Sequence, residues 1–240
     1  MNGNNTDRLA VLIDAENIAA KFAGAIFEEI ATLGEASVRR LYCDVQSPSV
    51  KPWLDKQTVL GLVPIHQPKN TVGKNASDIA LVIDAMDLLL GQRLDGFVLV
   101  SSDSDFTRLA QRIREQGVDV FGMGEQKTPR AFRMACKRFV TVENLANEKQ
   151  SESDSENTEP SSITLELNHA FQLIGNVITD TNDPDGWASL AWLGSQLIKR
   201  YPDFDPRSYG HKRLTDLVRA IGRFEETGEG TDHKIRPKSD

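Results

Sequence analysis

Three aspartates stand where apolar runs end. Asp14 closes LAVLIDA (9–15), and Asp103 and Asp105 follow the run GFVLV in SSDSDF. A fourth, Asp78, opens SDIALVIDAMDLLL (77–90). If the runs are strands of an open parallel sheet, the first three acids sit at carboxyl ends, where such sheets bind ligands. Carboxylates gathered there repel one another unless a cation neutralises them. Four hard oxygen donors without His or Cys suit Mg2+ or Mn2+ rather than zinc. One such ion, or a pair, activates water and offsets the charge that develops in phosphodiester cleavage. The plainer role is helix capping, in which an aspartate after a strand accepts orphan N–H groups of the next helix. Asp14, Asp103, Asp105 and, beside Ser77, Asp78 all stand where that role is open to them. Asp84 and Asp87 fall off the helical face of Asp78 and read as surface or structural residues.

Other chemistries find less support. His66, His169, His211 and His233 show no metal-ligand spacing, and neither a G-x-S-x-G nor a Walker A pattern occurs. A catalytic histidine would have to be His66, which has no supporting sequence neighbour. An aspartyl-phosphate enzyme of the haloacid-dehalogenase type wants D-x-D at the first strand, where this chain has Asp14-Ala15-Glu16. Cys43 and Cys136 cannot make a disulfide framework and read as buried reduced thiols. No apolar run approaches the roughly 20 residues of a membrane helix. The start, MNGNNTDR, is short and polar, so a cytoplasmic location without a signal peptide or membrane contact is expected.

The elements that must position these acids alternate in type. LAVLIDA, SVRRLYCDV (37–45), LVPIHQ (62–67), GFVLVSSD (96–103), VDVFGMG (118–124) and FVTVENL (139–145) read as strands. A helix pattern runs through Ile18, Phe22, Ile26 and Ile30, and a second through Phe106, Leu109, Ala110 and Ile113. Residues 77–90 are apolar nearly all round and predict a buried helix. Strands alternating with helices make an α/β, doubly wound parallel sheet over residues 1–146. Residues 163–240 carry three helical stripes and then FEET-GEG-TDHKIRP, a small hairpin, which together describe a winged helix-turn-helix. Between the two lies NEKQSESDSENTEPSS (147–162), too polar to bury a core and expected to be a disordered linker.

Whole-chain charge speaks against a polynucleotide partner, with 28 Lys+Arg against 35 Asp+Glu and a formal charge of −7. Its distribution does not. Residues 1–146 carry 18 acids and 17 bases, whereas the 16-residue linker carries 5 acids and 1 base. Setting aside the four candidate metal ligands leaves the first domain 14 acids against 17 bases.

LIDAENI, the K-x-x-S-D-x-x-L-V-x-D pattern around residues 74–84, and SSDSDF, in this order, resemble the NYN family of PIN-like ribonuclease domains, the group of LabA-type bacterial proteins. The resemblance covers about residues 8–146. It implies a PIN-like fold and a Mg2+- or Mn2+-dependent ribonuclease, with Asp14, Asp78, Asp103 and Asp105 as metal ligands. Asn17 matches the Asn of the family's D-x-x-N and would orient Asp14 or the scissile phosphate. Ser101 matches the small hydroxyl residue before the acidic pair. Ser102 stands where relatives commonly have Gly. Residues 163–237, with G-W, P-D-F-D-P-R-x-Y-G and L-x-D-L, resemble the OST-HTH or LOTUS domain, whose relatives bind RNA or dock proteins.

Polynucleotide affinity comes largely from Lys and Arg neutralising phosphates. KTPRAFRMACKR holds Lys127, Arg130, Arg133, Lys137 and Arg138 and no acid, and Arg108 lies shortly before it. Lys74 precedes Asp78 and would meet the substrate phosphate or balance the carboxylates. In the second domain Arg207, Tyr209, Lys212 and Arg213 cluster, with Tyr209 suited to stacking an unpaired base. Trp187, Trp192 and Phe204 read as helix-packing residues. The expectation is therefore a metal-dependent ribonuclease acting on single-stranded or structured RNA, with a C-terminal module for RNA or a protein partner. The alternative is a non-catalytic RNA-binding regulator on the same fold.

Overall fold

The structure, a computed structural model, describes residues 6–66, 76–91, 93–150, 160–228 and 230–238. They fall into two units, divided after Asn147.

In the first unit the strands are β1 (Arg8–Asp14), β2 (Glu35–Cys43), β3 (Val63–His66), β4 (Gly96–Val100), β5 (Asp119–Gly124) and β6 (Arg138–Thr141). The helices are α1 (Ala23–Leu33), α2 (Lys51–Leu54), α3 (Gln57–Leu60), α4 (Ala76–Leu90), α5 (Thr107–Glu115), α6 (Arg130–Ala135) and α7 (Val142–Gln150). All strand pairs are parallel, in the order β3-β2-β1-β4-β5-β6. The order reverses between β1 and β4, so the two strands that carry the candidate acids are neighbours at the switch point.

The period-two alternation of β1 explains its central place. Leu9, Val11 and Ile13 face a core with Ile26 and Ile30 of α1 and with Trp53, while Ala10 and Leu12 face Leu81 and Ala85 of α4 and Ile113 of α5. Pro64 is tolerated in β3 because that strand is an edge.

Several expectations are revised. α4 is not buried all round: Leu81, Ala85 and Leu89 pack on the sheet, but Ile79 and Ile83 are more than half exposed. A helix lying on one sheet face buries a single stripe whatever the composition of its outer side. The helix expected from Ile18 begins at Ala23, after a 3-10 turn at Ala20–Phe22. The strand expected to reach Leu145 ends at Thr141, where α7 takes over. The short helices α2, α3 and α6 span too few residues to show a periodic stripe. α7 runs to Gln150 and the next helix starts at Pro160, so the expected linker overlaps helix at both ends. Residues 151–159 lie outside the described residues.

The second unit has helices α8 (Pro160–Ile178), α9 (Leu190–Arg200) and α10 (Leu214–Ile221). They pack Ala170, Ile174, Leu193, Leu197, Leu217 and Val218 into one core. Strands β8 (Phe224–Thr227) and β9 (Lys234–Pro237) form the expected hairpin. A two-residue strand, β7 (Ala188–Ser189), joins β9 as a third, antiparallel partner. The Ser189 hydroxyl then caps α9 by accepting the Trp192 N–H at 3.2 Å.

Candidate active site

At the switch point Ile13 of β1 pairs with Val100 of β4, which brings the next residues, Asp14 and Ser101, side by side. Asp14 is 1% exposed. Its Oδ1 accepts the backbone N–H groups of Glu16 at 3.2 Å and Asn17 at 3.3 Å. Its Oδ2 accepts the Asn17 side-chain amide at 2.6 Å and the Ser101 hydroxyl at 2.8 Å. Burial pushes the Asp14 carboxyl above its usual range, and the donors from Asn17, Ser101 and the backbone work against that rise. Asn17 thus donates to Asp14 from both its backbone and its side chain. Ser101 Oγ also accepts the Asp103 N–H at 3.1 Å, so one hydroxyl ties the end of β1 to the turn after β4.

Asp103 caps the 3-10 turn Ser104–Phe106, its Oδ1 accepting the Asp105 N–H at 2.9 Å. The capping role is thus made, and the turn it closes carries both Asp103 and Asp105. Ser102 fills its place with a job of its own, its hydroxyl accepting the Glu125 N–H at 2.9 Å. Gly124 at the end of β5 is held to glycine by close approach: a Cβ there would lie 2.5 Å from the Ser101 carbonyl oxygen and 2.6 Å from the Thr128 hydroxyl.

Asp78, in the first turn of α4, joins the group. Burial first, and then the charges of Asp14, Asp103, Glu16 and Asp105, push its carboxyl up to about 6. Glu16 is the member that sequence reasoning missed; its place two residues after Asp14 was the available signal. The Glu16 carboxylate also accepts the Asp44 N–H at 3.4 Å. Beyond Asp44, His66 ends β3, its Nδ1 accepting the Val45 N–H at 3.3 Å. This histidine, without a sequence neighbour, does have spatial ones along the same rim. Asp84 plays the structural part expected of it, accepting the Tyr42 hydroxyl at 2.5 Å and pairing with Arg40.

Hard carboxylate oxygens and mutual repulsion are the donor chemistry that suits a divalent cation. As the side chains stand, no three His, Cys, Asp or Glu among the described residues are disposed around a common metal position. The reason at Asp14 is visible: two donors on each oxygen fill its acceptor directions.

The basic residues do not gather as one patch. Lys127 follows β5 at the carboxyl end and pairs with Glu125 at 2.7 Å. Arg130 opens α6 and is exposed, Arg133 lies half-buried on it, and Arg108 is exposed on α5 beside a Gln111 side chain that accepts from it at 3.0 Å. Lys137 and Arg138 are placed elsewhere. They stand at the amino end of the sheet, where Lys137 pairs with Asp119 at 2.5 Å and Arg138 with Glu29 at 3.0 Å. A run continuous in sequence is split because α6 returns the chain to the start of β6. Lys74 lies outside the described residues.

In the second unit the Arg207 guanidinium grips Asp205, with Nε and Nη2 each donating to Oδ2 at 2.9 and 2.7 Å. The Tyr209 hydroxyl and His169 Nδ1 lie 3.1 Å apart, and burial pushes the phenol up to about 12. Both side chains thus also make contacts within the domain's own fold. Lys212 and Arg213 are exposed ahead of α10.

Comparison with known proteins follows the same division. A crystal structure of a Vibrio parahaemolyticus protein of unknown function superposes with a TM-score of 0.49 at 20% identity, over 59% of this chain and 96% of that one. No curated protein matches the chain. The NYN domain model matches residues 8–144 and the OST-HTH/LOTUS domain model residues 166–235. With the first model spanning more than half of its 240 residues, the chain belongs to the NYN domain family and carries an OST-HTH/LOTUS domain after it.

Proposed function

We propose that the protein is a divalent-metal-dependent ribonuclease whose first unit cleaves RNA phosphodiester bonds and whose second unit engages RNA. One observation carries the reading: the end of β1, with Asp14 and Glu16, and the turn after β4, with Asp103 and Asp105, both bring carboxylates to bear on Asp78 in the first turn of α4. Such a concentration of like charge, on a sheet whose own core needs none of it, is the arrangement that a bound cation relieves. Mg2+ or Mn2+ held by Asp78, Asp103 and Asp105 beside Asp14 would supply the Lewis acid that activates water and offsets charge on phosphorus.

The chain's own contributions follow from the contacts. Asn17 and Ser101 fix the Asp14 carboxylate so that it spends no reorganisation when substrate arrives. Asp78 sheds its proton above about 6 and so enters neutral solution charged. Lys127 and Arg130, which flank the loop after β5, would hold phosphates flanking the scissile bond. The test is cleavage of a single-stranded RNA with Mn2+, with and without chelator, by wild type and by an Asp103→Asn, Asp105→Asn double variant. Metal-dependent cutting that the double variant loses by at least a hundredfold is expected; equal cutting by both proteins refutes the assignment.

A second reading, a regulator that binds RNA without cutting it, draws on the filled acceptor directions of Asp14. It requires RNA binding with no cleavage across metals and substrates.

A further inference from the structure

Trp187 is an aromatic residue that the core of its own unit does not use. Its sequence reads as helix packing, yet it is not among the side chains that form or line that core, where Trp192 and Phe204 both stand. It is half-buried, and its backbone is fixed, the carbonyl accepting the Thr181 hydroxyl at 2.9 Å. Ala188 and Ser189 of β7 pair with Ile235 and Lys234 of β9, so the residue before them comes opposite Arg236. The Arg236 guanidinium carbon lies 4.6 Å from the Trp187 ring centroid, and its Nε donates to Glu225 Oε2 of β8 at 2.7 Å. The two contacts hold the guanidinium against the indole while the Arg236 side chain stays 37% exposed.

The strand itself supplies charge on the same face. Side chains alternate along β9: Ile235 is buried in the core, so Lys234 and Arg236 share the opposite face of the sheet. They stand about 7 Å apart, close to the step between successive phosphates of an extended nucleic-acid strand. Lys234 is exposed, and its ladder partners on the two sides, Ser189 and Thr227, carry no charge. The acids of β8 are already engaged, Glu225 by Arg236 and Glu226 by Arg219 and His233. An acidic peptide would satisfy the lysine but has no use for the ring. An unpaired base with its phosphate uses both, because bases stack on aromatic rings and on guanidinium planes.

We propose that the outer face of the β7-β9-β8 sheet is a platform for single-stranded RNA, where an unpaired base stacks on the Trp187–Arg236 pair and Lys234 neutralises a neighbouring phosphate. The inference rests on the reading that the second unit engages RNA and deepens it by naming the surface and the strandedness of the ligand. Duplex RNA, whose bases are already stacked, gains nothing from the ring.

The experiment uses the full-length protein with chelator present, which stops metal-dependent cutting. A labelled single-stranded oligouridine is followed by anisotropy and the unlabelled strand by tryptophan emission. Trp53 is 1% exposed and Trp192 lines the core, so Trp187 is the ring that a base can quench. Quenching in step with binding is expected, with none from a duplex of the same length. Trp187→Ala should weaken binding about tenfold at an unchanged melting temperature, and Trp187→Phe should keep most of the affinity. Arg236→Lys, which keeps the charge but loses the plane, should weaken binding without altering its salt dependence. Lys234→Ala should lower the slope of log affinity against log salt by about 0.7. Oligouridine that binds without quenching, or that binds Trp187→Ala as tightly as wild type, overturns the platform and leaves RNA engagement standing at another surface. Quenching by oligoglutamate and not by oligouridine overturns it in favour of an acidic peptide. A Trp187→Ala variant that melts far below wild type returns the ring to a packing role and overturns it too. Only a wild type that binds no RNA at all defeats the underlying reading as well.

Discussion

At the scale of single residues, the site is built from side chains that do two things at once. Asp14 and Asp103 make the local turns that a helix cap would make, and those turns aim the acidic group. Asp78 bears the cost of that crowding. Its carboxyl, held up to about 6 by burial and four neighbouring charges, keeps its proton more tightly folded than unfolded. Between its ordinary value near 4 and about 6, the folded state therefore binds more protons, and stability falls as pH rises through that window. Above it the penalty is complete; below it there is none. Asp78→Asn should thus stabilise the metal-free protein at pH 7.5 by about 1 kcal/mol after allowance for solvent screening, and by almost nothing at pH 4. Paired denaturant melts at the two pH values measure this, and an equal gain at both would mean the effect is packing rather than charge. The same neighbourhood shows what sequence could reveal. Strand-end position singles out Asp14, Asp103 and Asp105 as candidates and the first turn of the apolar helix Asp78, whereas Asn17 and Ser101 are singled out only by the family resemblance. Glu16 is passed over although it stands two residues after Asp14, because that spacing alone does not say whether its side chain turns toward the acidic group, which depends on the path of the following loop.

At the scale of elements, position follows from close approach as much as from pattern. The six strands and their parallel class, though not their order, were readable from alternating apolar runs, since β1 and β4 are buried on both faces and flanked by amphipathic helices. The outer face of α4 was not readable, because Ile79 and Ile83 look like core residues in any composition count and only the single sheet face beside them decides otherwise. Nor does the sequence show why Gly124 must be glycine. Packing of β5 against the turn after β4 leaves no room for a methyl between the Ser101 carbonyl and Thr128. Gly124→Ala has to displace Ser101, and with it the hydroxyl bonded to Asp14, with an overpacking cost of about 1–3 kcal/mol. The expected result is a lower denaturation midpoint together with a disproportionate loss of RNA cleavage, since the displaced hydroxyl also holds the acidic turn. A variant equally destabilised by a substitution remote from the rim, such as Leu197→Ala in the second unit, should keep its specific activity once folded.

At the scale of the whole molecule, charge is informative only when it is located. The formal −7 reflects in part a linker with five acids and one base, and the first unit is close to neutral. The sequence run from Lys127 to Arg138 suggests one basic strip, but the fold sends its last two members to the amino end of the sheet, where Asp119 and Glu29 already neutralise them. The second unit behaves likewise, with Arg207 spent on Asp205 while Lys212 and Arg213 stay exposed. Phosphate contacts reveal themselves by salt dependence, because each one made to a single strand adds about 0.7 to the slope of log affinity against log salt. Lys212→Ala with Arg213→Ala should therefore reduce that slope by about 1.4 and weaken RNA binding most at low salt. Lys137→Ala with Arg138→Ala removes the same formal charge yet should leave the slope unchanged, its cost appearing as stability lost with the two ion pairs. Titration of both double variants with one fluorescent RNA at several salt concentrations separates these cases. Equal slopes for the two would mean that net charge, rather than the placement described here, governs how the protein meets RNA.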